Sequence, residues 1–263
     1  MNEMTSFLSL ASAADWGDHD ALKQTLDALK AYSRPIYSGF RVAALVKTTD
    51  GKILPGVNFE YDAHRSICAE QSAIVLARHQ GASGIAALAV SEWPCGQCRQ
   101  FLWECAEADL QITNTNVAET LTLEELLPKG FDMGNKGDFW ASNTCPQSQW
   151  QDKDIQNFLF DLNASAYAPY TRQVASLVVE TQDGTRHCGT LLENAAFAVT
   201  LAPLHTALVS LLASRQAPTD NVFQSIKTAY YCDISHTTLS YHDATKRILK
   251  TLAPQAQFQY LEY

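Results

Sequence analysis

Basic residues are scarce in this chain. Nineteen lysines and arginines stand against 28 aspartates and glutamates in 263 residues, a net charge of −9. No basic run interrupts that balance, so the footprint of a polynucleotide-binding surface is missing and no nucleic-acid partner is expected. A glycine-rich phosphate loop is also missing, which points away from nucleotides. No stretch approaches the ~18 consecutive apolar residues of a membrane-spanning helix, so no membrane partner is expected. No basic segment leads into an apolar one near Met1, so a secretory leader is not expected either. The seven cysteines, three of them placed as metal ligands below, imply a reducing compartment, and the cytoplasm fits.

What is present is concentrated in two short strings, Cys68-Ala69-Glu70 and Pro94-Cys95-Gly96-Gln97-Cys98. Thiolates at this spacing bind Zn²⁺, and three protein ligands leave the fourth tetrahedral position open for a water that the metal acidifies. Ala69, Ala73, Leu76 and Ala77 give the stretch Cys68–Arg78 a helical pattern that stops at Gly81. Cys68 and Glu70 are thereby expected in a first turn, where the helix dipole favours thiolate. Pro94 suits the first turn of a second helix, with Cys98, Phe101, Leu102 and Cys105 on one face. Glu70 is then placed as a proton shuttle, and the chemistry indicated is hydrolytic deamination of a nucleobase. A lone P-C-x-x-C is common in structural zinc ribbons; its combination with C-A-E is far more specific. The competing reading is a structural site closed by a distant fourth ligand, with His64 the nearest candidate. Cys105, Cys145, Cys188 and Cys232 are expected to pack as small apolar residues or lie idle.

Here the chain resembles the cytidine deaminase family. Ser38-Gly39-Phe40-Arg41-Val42-Ala43-Ala44 is similar to the family's S-x-F-x-V-G-A, and Gly56-Val57-Asn58-Phe59-Glu60 to its G-x-N-x-E. Cys98-Arg99-Gln100 matches C-R-Q, and Leu126-Leu127-Pro128-Lys129-Gly130-Phe131 resembles L-L-P-x-x-F. The resemblance implies that Phe40 stacks on a pyrimidine while Asn58 and Glu60 hold the ribose 3′-hydroxyl. It adds Ala69, Trp93 and Phe131 to the substrate contacts, Trp93 through its backbone carbonyl. The implied activity is zinc-dependent conversion of cytidine and 2′-deoxycytidine to uridine and 2′-deoxyuridine in pyrimidine salvage. Alternatives are a deaminase of another aminated base or nucleoside, or a decayed zinc-binding interaction protein. Gln71 departs from the arginine that three-cysteine members usually carry to offset the extra thiolate charge, a role open to Arg65 or Arg99. Trp93 replaces the usual Ser or Thr, Ala43 replaces a glycine, and Asp132-Met133 replace the usual Gly-Pro.

The second half repeats the first. Val42-Ala43-Ala44-Leu45-Val46 recurs as Val174-Ala175-Ser176-Leu177-Val178, an offset of 132 residues; Asp50-Gly51, Gly56 and Glu60 recur as Asp183-Gly184, Gly189 and Glu193, an offset of 133. On those offsets Phe40 maps to Arg172, Cys68 to Leu201 and Glu70 to Pro203. After a 13-residue insertion Cys95 and Cys98 map to Tyr241 and Ala244. Neither ligand nor shuttle survives, so a single zinc per chain is expected, in the first half. Leu204, Ala207, Leu208, Leu211 and Leu212 keep a helical face, giving a structural domain. This layout is similar to the two-domain, homodimeric branch of the family, and implies a homodimer in which the second domain covers the partner's active site.

The expected fold class is α/β: duplicated α/β/α domains of the cytidine deaminase type, each a small mixed sheet flanked by helices, plus a short N-terminal helical segment. The expected divisions are a helical segment at 1–33, a catalytic domain at 34–134, a linker with one helix at 135–168, and a non-catalytic domain at 169–263. Leu22, Leu26 and Leu29 mark the first helical face, with Pro35 near its exit, and Ile155, Phe158, Leu159 and Leu162 mark the linker helix. Ala43–Lys47, Leu88–Val90, Leu177–Val179 and Ala229–Cys232 read as strands.

Overall fold

The computed structural model describes residues 6–62, 65–134, 137–141, 154–218, 221–234 and 240–262. Its helices are α1 (Phe7–Ser12), α2 (His19–Leu29), α3 (Ala69–His79), α4 (Gly96–Cys105), α5 (Leu123–Leu126), α6 (Ile155–Asn163), α7 (Pro203–Ala213) and α8 (His242–Leu252). Its strands are β1 (Ala43–Thr48), β2 (Ile53–Val57), β3 (Phe59–Asp62), β4 (Arg65–Ile67), β5 (Ile85–Val90) and β6 (Gln111–Asn114). They continue with β7 (Glu119–Thr122), β8 (Ala175–Thr181), β9 (Arg186–Thr190), β10 (Ile226–Asp233) and β11 (Gln257–Glu262). The chain divides into two units, Met1–Asp132 with Ala213–Asp220, and Met133–Leu212 with Asn221–Tyr263.

In the first unit a five-stranded sheet runs β2-β1-β5-β6-β7, parallel only between β5 and β6. Ala43 to Val46 of β1 are fully buried, which is why that strand reads as an unbroken apolar run instead of an alternation. Every residue of α3 is buried, so this helix is core on all sides. Leu22, Leu26 and Leu29 lie on the buried face of α2, which Asp18 caps by accepting from the N–H groups of Asp20 and Ala21. In the second unit the sheet runs β9-β8-β10-β11, again mixed, with only β10 and β11 parallel. Phe158, Leu159 and Leu162 of α6 pack there against Val178, Cys188 and Cys232.

Strand pairing corrects the register of the repeat. Ala44 pairs with Gly56 and Leu45 with Pro55, while Leu177 pairs with Gly189 and Val178 with Cys188. The offset is therefore 133 residues already in the first strand, and Phe40 corresponds to Gln173, not Arg172. Backbone bonds agree: Gly39 donates to Pro35 O at 3.0 Å and Arg172 to Ala168 O at 3.1 Å, with φ of 68° and 59° at the two donors. By the helices one further residue has entered. A Cβ on Gly56 would lie 2.1 Å from Ala69 O, and one on Gly189 would lie 2.2 Å from Pro203 O, so α3 and α7 correspond at an offset of 134. Cys68 thus corresponds to Ala202 and Glu70 to Leu204, neither of which can ligate zinc or move a proton.

Three smaller expectations also change. Cys68 is the N-cap of α3 and not a first-turn residue, and Pro94 precedes Cys95, the N-cap of α4. Cys188 packs in the core as expected but is also disulfide-bonded, which departs from the wholly reduced set implied by the sequence. Cys105 and Cys232 are buried and not disulfide-bonded, as expected, while His64 and Cys145 fall outside the described residues.

Candidate active site

Two helix N-termini in the first unit bring the cysteines together. Cys68 and Cys95 occupy the N-caps of α3 and α4, and Cys98 sits one turn into α4. The sulfurs of Cys68 and Cys95 are 3.9 Å apart and those of Cys95 and Cys98 are 3.7 Å apart. Ligands at ~2.3 Å from a tetrahedral zinc ion have sulfur–sulfur edges of about 3.8 Å, so the donor set fits that ion. All three sulfurs lie within 4.8 Å of one another, and among the described residues no fourth His, Cys, Asp or Glu joins them. Contacts with the Cys68 and Cys98 side chains, and with the backbone N–H groups of Cys98 and Gln97, hold the Cys95 pKa well below that of an ordinary thiol. Hydrogen bonding within the cluster and burial push the Cys68 and Cys98 thiols up, so the charge gathers on Cys95, beside the first N–H groups of α4. Arg99 is engaged elsewhere: its guanidinium donates to Pro94 O at 2.8 Å and Leu126 O at 2.7 Å.

Glu70, in the first turn of α3, is 3% exposed. The Cys98 thiol donates to its Oε2 at 3.3 Å. Burial pushes the Glu70 carboxyl up to about 7, near the value at which a group both accepts and releases protons at neutral pH. A cavity of about 290 Å³ opens over this cluster. Phe40, Asn58, Glu60, Ala69, Glu70 and Trp93 all line it, together with Cys68 and Cys95. Ser66 and Glu92 line it too. Sequence reasoning passed over both, although Glu92 directly precedes Trp93.

Asn58 and Glu60 hold the loop that carries Phe40. Asn58 Oδ1 accepts from the Ser33 hydroxyl at 2.6 Å and from Val42 N–H at 2.8 Å, and its Nδ2 donates to Phe40 O at 2.9 Å. Glu60 accepts from the N–H groups of Tyr37 at 2.5 Å and Ser38 at 3.1 Å. Burial raises its pKa, but hydrogen bonds from the Ser38 hydroxyl and these N–H groups, with the nearby Arg34 charge, bring it below the ordinary value. Glu193 repeats the clamp, accepting from Tyr170 N–H at 2.9 Å, Thr171 N–H at 3.2 Å and the Thr171 hydroxyl. Phe131 is not in the cavity lining. It stands 56% exposed, its backbone held at both ends by Gln100, which donates to Phe131 O at 2.9 Å and accepts from Phe131 N–H at 3.1 Å.

Three clustered cysteine sulfurs that fit a tetrahedral zinc ion, a buried carboxylate in contact and an aromatic-lined cavity are the parts of a zinc hydrolase. Comparison with known proteins gives the family. Models for the cytidine and deoxycytidylate deaminase zinc-binding region match residues 17–114 and 109–246. A cytidine deaminase of Vibrio parahaemolyticus is 32% identical over 256 residues, spanning 94% of this chain and 84% of its own. One of Shewanella loihica is 33% identical over 251 residues, spanning 93% and 83%. Among solved structures, cytidine deaminase from Mycobacterium tuberculosis is 31% identical with a TM-score of 0.40, spanning 44% of this chain and 98% of that one. The chain belongs to the zinc-dependent cytidine and deoxycytidylate deaminase family.

Proposed function

We propose that the chain deaminates cytidine and 2′-deoxycytidine to uridine and 2′-deoxyuridine, releasing ammonia, in pyrimidine salvage. The observation that carries this reading is the position of Glu70, buried against Cys98 at the floor of a cavity whose wall includes an aromatic ring and a second carboxylate. Zn²⁺, held by Cys68, Cys95 and Cys98 when bound, would supply the Lewis acidity that activates a water toward C4 of the ring. Glu70 would take a proton from the attacking water and deliver it to N3. It then passes the remaining hydroxyl proton to the amine as the C4–N bond breaks, leaving a carbonyl and ammonia. Phe40 offers its face to the base, and the Trp93 carbonyl accepts from the amine. Asn58 and Glu60 use their remaining hydrogen-bonding capacity on the ribose 3′-hydroxyl. Ala69 forms part of the floor, and Phe131 closes the site from outside its own cavity.

The division of labour follows from the repeat: catalysis at 34–134, a linker at 135–168, and a non-catalytic domain at 169–263. The chain acts as a homodimer, the second domain covering the partner's active site. No described helix is long and apolar enough to cross a membrane.

The test is ultraviolet loss on incubation with cytidine, with metal content measured on the same sample. Turnover with about one zinc per chain is expected. Free cytosine should be a very poor substrate, and equal rates on cytosine and cytidine would overturn the ribose contacts. Bound zinc without turnover of cytidine would move the reading to another aminated base. A monomeric profile on sizing chromatography would remove the shared site.

A further inference from the structure

Gln71 stands where three-cysteine relatives usually place an arginine, and an amide adds no positive charge. It is nevertheless 3% exposed, the third residue of α3, and its Oε1 accepts the backbone N–H of Cys68 at 3.1 Å. That bond closes the first turn onto the N-cap residue from which a zinc ligand projects. The second unit makes the same bond with a different side chain. His205, which corresponds to Gln71 at the helix offset, accepts the N–H of Ala202 through Nδ1 at 3.0 Å. Ala202 carries no ligand, so the acceptor is kept there for the backbone alone. Two unrelated side chains satisfying the same N–H show that the position requires an acceptor and not a charge.

We infer that Gln71 is a positioning residue for zinc: by holding the Cys68 backbone it keeps the Cys68 sulfur at its 3.9 Å spacing from that of Cys95. Second-layer partners of this kind fix ligand orientation and carry a measurable share of metal affinity. Gln71 touches neither the cavity nor the reacting atoms, so its loss should act on zinc retention and leave the proton chemistry of each loaded site unchanged.

The test measures zinc transfer from the holoenzyme to a chromophoric chelator, alongside kcat per bound zinc. Gln71→Leu, similar in volume and lacking an acceptor, should hold zinc ~10- to 100-fold more weakly. Gln71→His, the acceptor the second unit uses, should bring retention back to within about threefold of the parent, on the scale set by that loss. If the leucine variant does not fold, Gln71→Asn, one methylene short of the N–H, makes the same comparison. Unchanged retention in the leucine variant, or a folded histidine variant that fails to recover it, would overturn the inference. So would a fall in kcat per zinc at unchanged retention. The inference rests on Cys68 being a ligand. Cys68→Ala separates the two: full retention in that variant would refute the ligand assignment itself.

Discussion

Glu70 and Glu60 are both buried carboxylates lining one cavity, and their surroundings set them to opposite tasks. Burial pushes Glu70 up to about 7. Glu60 lies nearer the surface, 9% exposed against 3% for Glu70, and donors from its own loop keep it charged. A proton shuttle needs the first condition and a permanent acceptor the second. Glu70→Ala should therefore keep zinc, since Glu70 is not among the three ligand donors, and lose at least ~10²-fold in turnover, the lower end of general acid–base contributions. Metal analysis and steady-state rates on one preparation check this; near-normal turnover would sink the assignment. His187 makes a separate prediction about acid. Burial holds it at about 4 against 6.5 for a free imidazole, and its Nδ1 has no hydrogen-bond partner among the described residues. Between those values the unfolded chain binds a proton that the folded chain does not. Stability is thus full above pH ~6.5 and falls as pH drops toward 4, by about 2 kcal/mol at pH 5. Gly184→Ala would not touch that difference, but His187→Leu should shrink the loss of unfolding free energy between pH 7 and pH 5, measured by calorimetry.

At the scale of elements, helix and strand meet without a side chain between them. Gly56 lies under α3 and Gly189 under α7, and an added Cβ would strike helix backbone in both cases. Because backbone cannot swing aside, Gly56→Ala and Gly189→Ala should each cost about 3 kcal/mol or more. Only the Gly56 change also moves Cys68 and Glu70, so it alone should weaken zinc binding per folded chain. Equal zinc affinity in the two variants would contradict the placement of α3. These elements also show what could be read from sequence. The meeting of Cys68, Cys95 and Cys98 and their contact with Glu70 were legible because metal and proton chemistry tolerate few side chains at those spacings. The register of the repeat was not. Strands buried on both faces read as continuous apolar runs, so Val42–Val46 and Val174–Val178 match at an offset one residue short, with no polar residue on a wrong face to betray it. Hydrogen bonds between strands fix what composition leaves free. Gln71 was legible as a departure but not as a cap, because the Ser or Thr that usually opens a capping box is replaced by Cys68.

Across the whole molecule, two copies of one plan share four strands of a mixed sheet, the same glutamate clamp and an acceptor at the start of the central helix, while only one carries the cysteine cluster among the described residues. That retention identifies which parts of the motif serve folding. Glu193 and His205 persist where there is nothing to catalyse, so Glu60 and Gln71 answer to the scaffold as well as to the site. The loss reaches deeper than side chains. Cys95 caps α4 with an extended backbone, φ −66° and ψ 168°, whereas Tyr241 at the start of α8 has φ −93° and ψ 3°. A chain carrying Ala202→Cys, Leu204→Glu, Tyr241→Cys and Ala244→Cys would recover the chemistry in name only, its third sulfur leaving the main chain in another direction. Such a variant should still bind one zinc ion, by metal analysis, and two would show the turn at α8 to be adjustable. The second half is in this sense locked by its main chain: side chains alone cannot rebuild a site at Tyr241 while the backbone there keeps its present turn.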